Sequence, residues 1–234
     1  MASDETSTMR TFSLYEFAAI LVPGSILATS LWLVPGVRGL LPDGQAGVQL
    51  IGTALFLLLS YGAGHVAQAG GNLVELGYWR LWGGPPTDWI RSARRPLLWS
   101  EQLNSVKKAL RHFVPSLPLD FAEISQEDWR ALKAELRTIL SEAGKLTRAD
   151  IMNANYHLCR ALPLCCLTLT LVLAFTPGVT CPKRLLLAVL CITIVAASIW
   201  RMHRFAEHYA REFFVQLMRM HGASNHPDAT SSPR

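Results

Sequence analysis

Between Asp43 and Glu75 the sequence contains no Asp, Glu, Lys or Arg. An uncharged run of that length can cross the roughly 30 Å hydrocarbon core of a bilayer, which takes about 20 helical residues, and continue past it. The stretch GVQLIGTALFLLLSYGAGHVAQAGGNLVELGYWRLWGG, Gly47–Gly84, therefore reads as a transmembrane helix whose last turns emerge at the interface. In those turns His65, Gln68, Asn72 and Glu75 are spaced by three, four and three, so they fall on one helical face as a polar stripe. Beside it Ala63, Ala67 and Gly71 recur at every fourth position, the small-xxx-small pattern that lets a second helix backbone come close inside a membrane.

Charge is distributed in blocks along the rest of the chain. Residues 17–35, 47–64, 161–182 and 185–200 carry no charged side chain, whereas residues 85–150 hold about half of all the acids and bases. Only 17% of residues are charged, against about 25% in a soluble domain, and the mean hydropathy is +0.24. These blocks predict an all-α, four-transmembrane-helix membrane protein in three parts. Residues 1–84 form a first transmembrane hairpin, residues 85–150 a small helical cytoplasmic insert, and residues 151–234 a second hairpin with a long C-terminal cytoplasmic helix and tail.

Within that scheme the first span covers Phe12–Val37, with a kink at Pro23-Gly24 where proline removes a backbone hydrogen bond. Gly83-Gly84-Pro85-Pro86 stops the second span. In the insert, SARRPLLW (Ser92–Trp99) is basic and apolar together, as in a segment lying on headgroups. A helix over Ser100–Phe113 follows, and a second begins at Ser125, paired with Asp128 as a cap, and closes at Gly144. Thr147 and Asp150 repeat the capping pattern at the start of a helix that leads into the third span and ends at Pro177-Gly178. Thr180–Arg184 forms an outer turn. The fourth span, Leu185–Trp200, continues without a break into RMHRFAEHYAREFFVQLMRMH.

Orientation follows from the basic residues. With four spans, one side holds Arg10, Arg91, Arg94, Arg95, Lys107, Lys108, Arg201, Arg204, Arg211 and Arg219, and the other only Arg38, Lys183 and Arg184. Positive residues stay inside, which predicts a bacterial inner-membrane protein with both termini cytoplasmic. The same rule explains the net charge of +5 and the pI near 9.1 without nucleic acid, for which no binding signature is present. The expected partners are the lipid bilayer and further copies of the chain, with a cytoplasmic signalling protein or nucleotide ligand as trigger.

No catalytic residue, metal site or cofactor is assigned from the sequence. The five cysteines form neither a disulfide framework nor a CxxC clip, and no Walker loop, GxGxxG or GxSxG is present. The best candidate site is the His65–Gln68–Asn72–Glu75 stripe. It could line a water-filled path, or it could supply interhelical hydrogen bonds. A second cluster is Arg201, His203, Arg204 and His208, whose Arg-to-His spacing in RMHRFAEH fits the loose signature of HEPN-type ribonucleases.

Three stretches, FSLYEFAAILVPG, YGAGHVAQAGGNLVE and RFAEHYAREFF, give the chain a layout that resembles the small multi-span effectors and accessory proteins of bacterial anti-phage defence systems. The resemblance implies an oligomer that perturbs membrane integrity or potential when a cytoplasmic signal arrives. The competing readings are a constitutive channel or transporter subunit, a membrane-embedded hydrolase using His65 and Glu75, and the HEPN-like ribonuclease.

Overall fold

The computed structural model describes residues 16–34, 37, 46–91, 96–118, 120–176 and 180–225, all helix or connecting turn with no strand among them. A widened π-helical turn, Glu16–Leu21, leads into α1, Val22–Trp32. Then come α2, Ala46–Trp82; α3, Ser100–Phe113; α4, Gln126–Glu142; α5, Thr147–Phe175; and α6, Cys181–Asn225. Residues 12–15, the Arg38–Gln45 turn, the Ser92–Arg95 part of the basic segment, the Pro177-Gly178 stop and the tail from 226 lie outside the described residues.

Four spans are expected; among the described residues two helices have both the length and the apolarity to cross a membrane, Thr147–Phe175 and Cys181–Gly222. The apolar helix Phe17–Trp32 is short, and α2 carries Ser60, His65, Gln68 and Asn72 among its leucines. Two helix starts also differ from expectation. Residue Cys181 opens α6 instead of lying in a turn, the Arg184 N–H already donating to the Thr180 carbonyl at 3.0 Å; Pro182, lacking an N–H, is suited to a first helical turn. The Asp150 N–H donates to the Leu146 carbonyl at 2.8 Å, so α5 is under way at Thr147, and the Asp150 carboxylate pairs with Arg137 at 2.7 Å instead of capping. Pro163 lies inside α5, which runs on through it to Phe175.

The chain divides into two compact units, one of residues 1–81 with 153–205 and the other of 82–152 with 206–234. In the first, α1 and the turn before it pack on α2 through glycine. A Cβ at Gly24 would overlap the Ser60 carbonyl oxygen and the Gly64 backbone, and one at Gly64 would overlap the Ile20 carbonyl oxygen. Farther along, Leu27, Ala67, Ala161 and Cys165 form a buried cluster, with Ile26 and Ala63 packed against it. Small residues at these positions let the helix backbones approach closely.

In the second unit Gly83 and Gly84, at φ 73° and 109°, end α2 in a left-handed conformation that glycine adopts freely. The turn Pro86–Asp88 that follows places Asp88 under the first turns of α4. Its carboxylate is 8% exposed and accepts from Trp129 Nε1 at 3.0 Å, Gln126 Nε2 at 2.9 Å and Lys133 Nζ at 2.6 Å. A buried acid is tolerable only when its lone pairs are filled in this way. Ser125 caps α4 by accepting from the Asp128 N–H at 3.0 Å, and Gly144, at φ 66°, follows it. Trp129, Phe121, Leu136, Leu140, Phe214 and Leu217 fill the core of this unit.

The glycine packing separates two kinds of substitution. Gly64→Leu is expected to destabilise the protein by roughly 3 kcal/mol, the top of the range for overpacking, because the obstruction is backbone and cannot rotate away. Gly52→Ala, where nothing lies within 4 Å of the added carbon, is expected to stabilise by about 0.5–1 kcal/mol through helix propensity. Thermal unfolding of the detergent-solubilised variants checks both signs.

Candidate functional site

Pro23 is where the polar interior of the first unit begins. A proline has no N–H to give to the carbonyl four residues before it, here that of Ala19. Gln68 of α2 supplies the missing donor: its Nε2 donates to the Ala19 oxygen, and also to the His157 carbonyl of α5 at 3.2 Å. The amide oxygen of Gln68 then accepts from Arg160 of α5, from Nε at 3.2 Å and from Nη2 at 3.1 Å. The remaining arm of that guanidinium, Nη1, pairs with Glu75, two turns farther along α2. One glutamine side chain therefore ties together the Glu16–Leu21 turn, α2 and α5, and one arginine uses all three of its nitrogens on α2.

The surroundings are dry enough for these bonds to matter. Gln68 is buried, and the side chains of Arg160 and Glu75 are 11% and 29% exposed. Gly71, between Gln68 and Glu75 on α2, lets Arg160 in, since a Cβ there would stand 3.0 Å from the Arg160 carbonyl oxygen. One turn beyond Glu75, Trp79 Nε1 donates to Tyr156 Oη at 2.8 Å, and Tyr78 Oη lies 3.0 Å from His203 Nδ1 of α6. The His203 ring also lies beside that of Trp79, at 5.5 Å between centroids. The last four turns of α2 thus carry a continuous series of polar and aromatic contacts to the rest of the unit.

The four residues of the stripe divide in two. Gln68 and Glu75, seven residues apart, turn inward onto Arg160, while His65 and Asn72, also seven apart, are exposed. At about 100° per residue, residues seven apart nearly superimpose along a helix, whereas the two pairs are offset by roughly 60°. Ala67 and Gly71 are buried and Ala63 is half-buried. Of the second cluster, Arg201, Arg204 and His208 follow one another along α6 at spacings of three and four, and His203 lies on another face of the helix. Arg201 and Arg204 are exposed, with Arg201 lying over the Phe205 ring at 5.1 Å, whereas His203 is engaged by Tyr78.

Arg160 is the residue that pattern reading passed over. It is the sole Asp, Glu, Lys or Arg between Asp150 and Lys183, and Glu75 is the first after Asp43. Two isolated opposite charges, each at the margin of an apolar run, were the available signal for a pair. Among the described residues no three His, Cys, Asp or Glu side chains form a group able to hold a metal ion. Comparison with known proteins finds no matching family model, no matching curated protein and no matching solved structure.

A shielded ion pair costs more to break than to replace, because one partner left alone keeps its desolvation penalty. Arg160→Ala and Glu75→Ala are each expected to lower stability by about 3 kcal/mol, near the lower end for buried pairs since Glu75 retains some solvent contact. The double variant Arg160→Leu with Glu75→Leu should lose less than either single. Unfolding midpoints of the wild type, Arg160→Leu, Glu75→Leu and the double variant in one detergent measure the coupling.

Proposed function

We propose that this chain is a multi-pass inner-membrane effector. In this reading α1, α2, α5 and α6 occupy the bilayer as four spans, both termini and the 85–150 insert lie in the cytoplasm, and several copies assemble to perturb membrane integrity or potential when a cytoplasmic signal arrives. The observation that carries the proposal is the exposure of α6. Only 17% of its apolar window is buried, and Leu185, Leu186, Val189, Leu190 and Ile192 are all more than half exposed. A core helix of a soluble protein would be covered, and soluble monomers rarely expose a contiguous apolar patch of more than a few hundred Å². A helix apolar around its circumference and bare on most of it is suited to lipid.

The polar interior fits the same medium. Groups that hydrocarbon would penalise, the Arg160 guanidinium, the Gln68 amide and the Ala19 carbonyl, are bonded to one another. The node therefore serves as the register of the bundle, and the membrane-perturbing step falls to assembly between copies. Resemblance to anti-phage effectors supplies the biological setting of the proposal, and a cytoplasmic protein or nucleotide its trigger.

Induced expression in bacterial cells, followed with a potential-sensitive dye, tests it. Loss of membrane potential in step with accumulation of the protein in the inner membrane is expected, because a high copy number drives assembly without the signal. An unchanged potential with the protein present in that membrane would exclude the pore-forming reading.

A further inference from the structure

The outer face of α2 repeats with a period of seven. Leu55, Gly62, Ala69 and Leu76 are seven apart, and Leu58, His65 and Asn72 form a second series of sevens three residues behind the first. Together they make the a and d positions of three heptads, about 33 Å of helix. Every one of these residues is exposed, Leu58 at 69% and Leu76 at 66%. The face opposite holds Ser60, Gly64, Ala67 and Gly71, already packed on α1 and α5. Thus α2 carries two seams, and its own unit uses one.

We infer that the outer seam pairs with the same seam of a second copy of this chain. The residues suit a symmetric parallel pair, the arrangement open to two copies inserted the same way. Gly62 and Ala69, successive a positions flanked by Leu55 and Leu76, allow close approach, and a Cβ at Gly62 meets nothing within 4 Å of its own subunit. His65 and Asn72 sit at successive d positions, where each would face its own equivalent. Both side chains can donate and accept, so like can bond to like, and a polar residue at such a position fixes register. Within its own subunit His65 meets Tyr61 edge-on, one turn earlier on the same helix. Between Asp43 and Glu75 there is no charge for a symmetric pair to set against itself. A foreign partner would need a matching heptad, whereas a second copy brings one by construction.

The inference rests on the proposed placement of α2 in the bilayer, where His65 and Asn72 could not be left against acyl chains. It adds the surface and the partner through which assembly begins. Single cysteines at Leu58, Ala69 or Leu76, in the full chain carrying Cys181→Ser to remove the exposed native thiol, report it by oxidative cross-linking in membranes. Leu57→Cys, about 130° round the helix from the middle of the seam, and Ile192→Cys on α6 serve as exposed controls. Disulfide-linked dimer at the seam positions several-fold above the controls, in protein retained by carbonate-washed membranes, is the expected result. Seam and control positions reacting alike in membrane-retained protein would overturn the pairing and leave the bilayer reading in place. Seam-selective dimer in protein that carbonate releases would uphold the pairing and remove the bilayer reading.

Discussion

The pairing of Arg160 with Gln68 and Glu75 is the interaction on which the first unit depends. A guanidinium placed among apolar helices must be satisfied on every nitrogen, and here all its partners lie on one helix. That requirement fixes the axial position of α5 on α2 to within a hydrogen bond. The small residues Ala67, Gly71 and Ala161 then become possible, because two backbones held in register can come close without a side chain between them. Pro23 extends the same logic to the chain before α1. By withholding an N–H it turns the Ala19 carbonyl into an acceptor for Gln68, so the break in one helix becomes the attachment point of another.

Helices and their ends were legible in the sequence wherever local chemistry dictates them. Ser125 with Asp128, the left-handed Gly144, and the Gly83-Gly84 stop act over a few residues, and the residues themselves name the conformation. The α6 start was misread because Pro182 looks like a loop residue when it is equally a first-turn residue. The α5 start was misread because Asp150 has a more distant partner in Arg137, which no capping pattern reveals.

The polar site was legible only in part, for a reason of angle and of sequence distance. A spacing of three, four and three names a face about 80° wide, too coarse to separate Gln68 and Glu75 from His65 and Asn72. Only tertiary packing divides them. Their partner lies 85 to 92 residues away, at the end of the polar half of α5 and just before its apolar run. In the second unit Asp88 escaped notice altogether, since an aspartate between two prolines and a tryptophan reads as a turn. Its role depends on Trp129, Gln126 and Lys133 arriving from α4. The proposed function rests less on a chemical constellation than on what remains uncovered, the apolar circumference of α6 and the outer heptads of α2.

The membrane effector proposed for the chain requires lipid to be the medium around α6, and spin-label accessibility reports that medium directly. A nitroxide at Leu186 or Ile192, both about two-thirds exposed, would be attached in the Cys181→Ser background and compared with one at Arg204, after reconstitution in vesicles. The account predicts that the two α6 labels collide with oxygen far more than with a water-soluble nickel chelate, and that Arg204 shows the reverse. Nickel accessibility at Leu186 and Ile192 equal to that at Arg204 would place α6 in water and contradict the account.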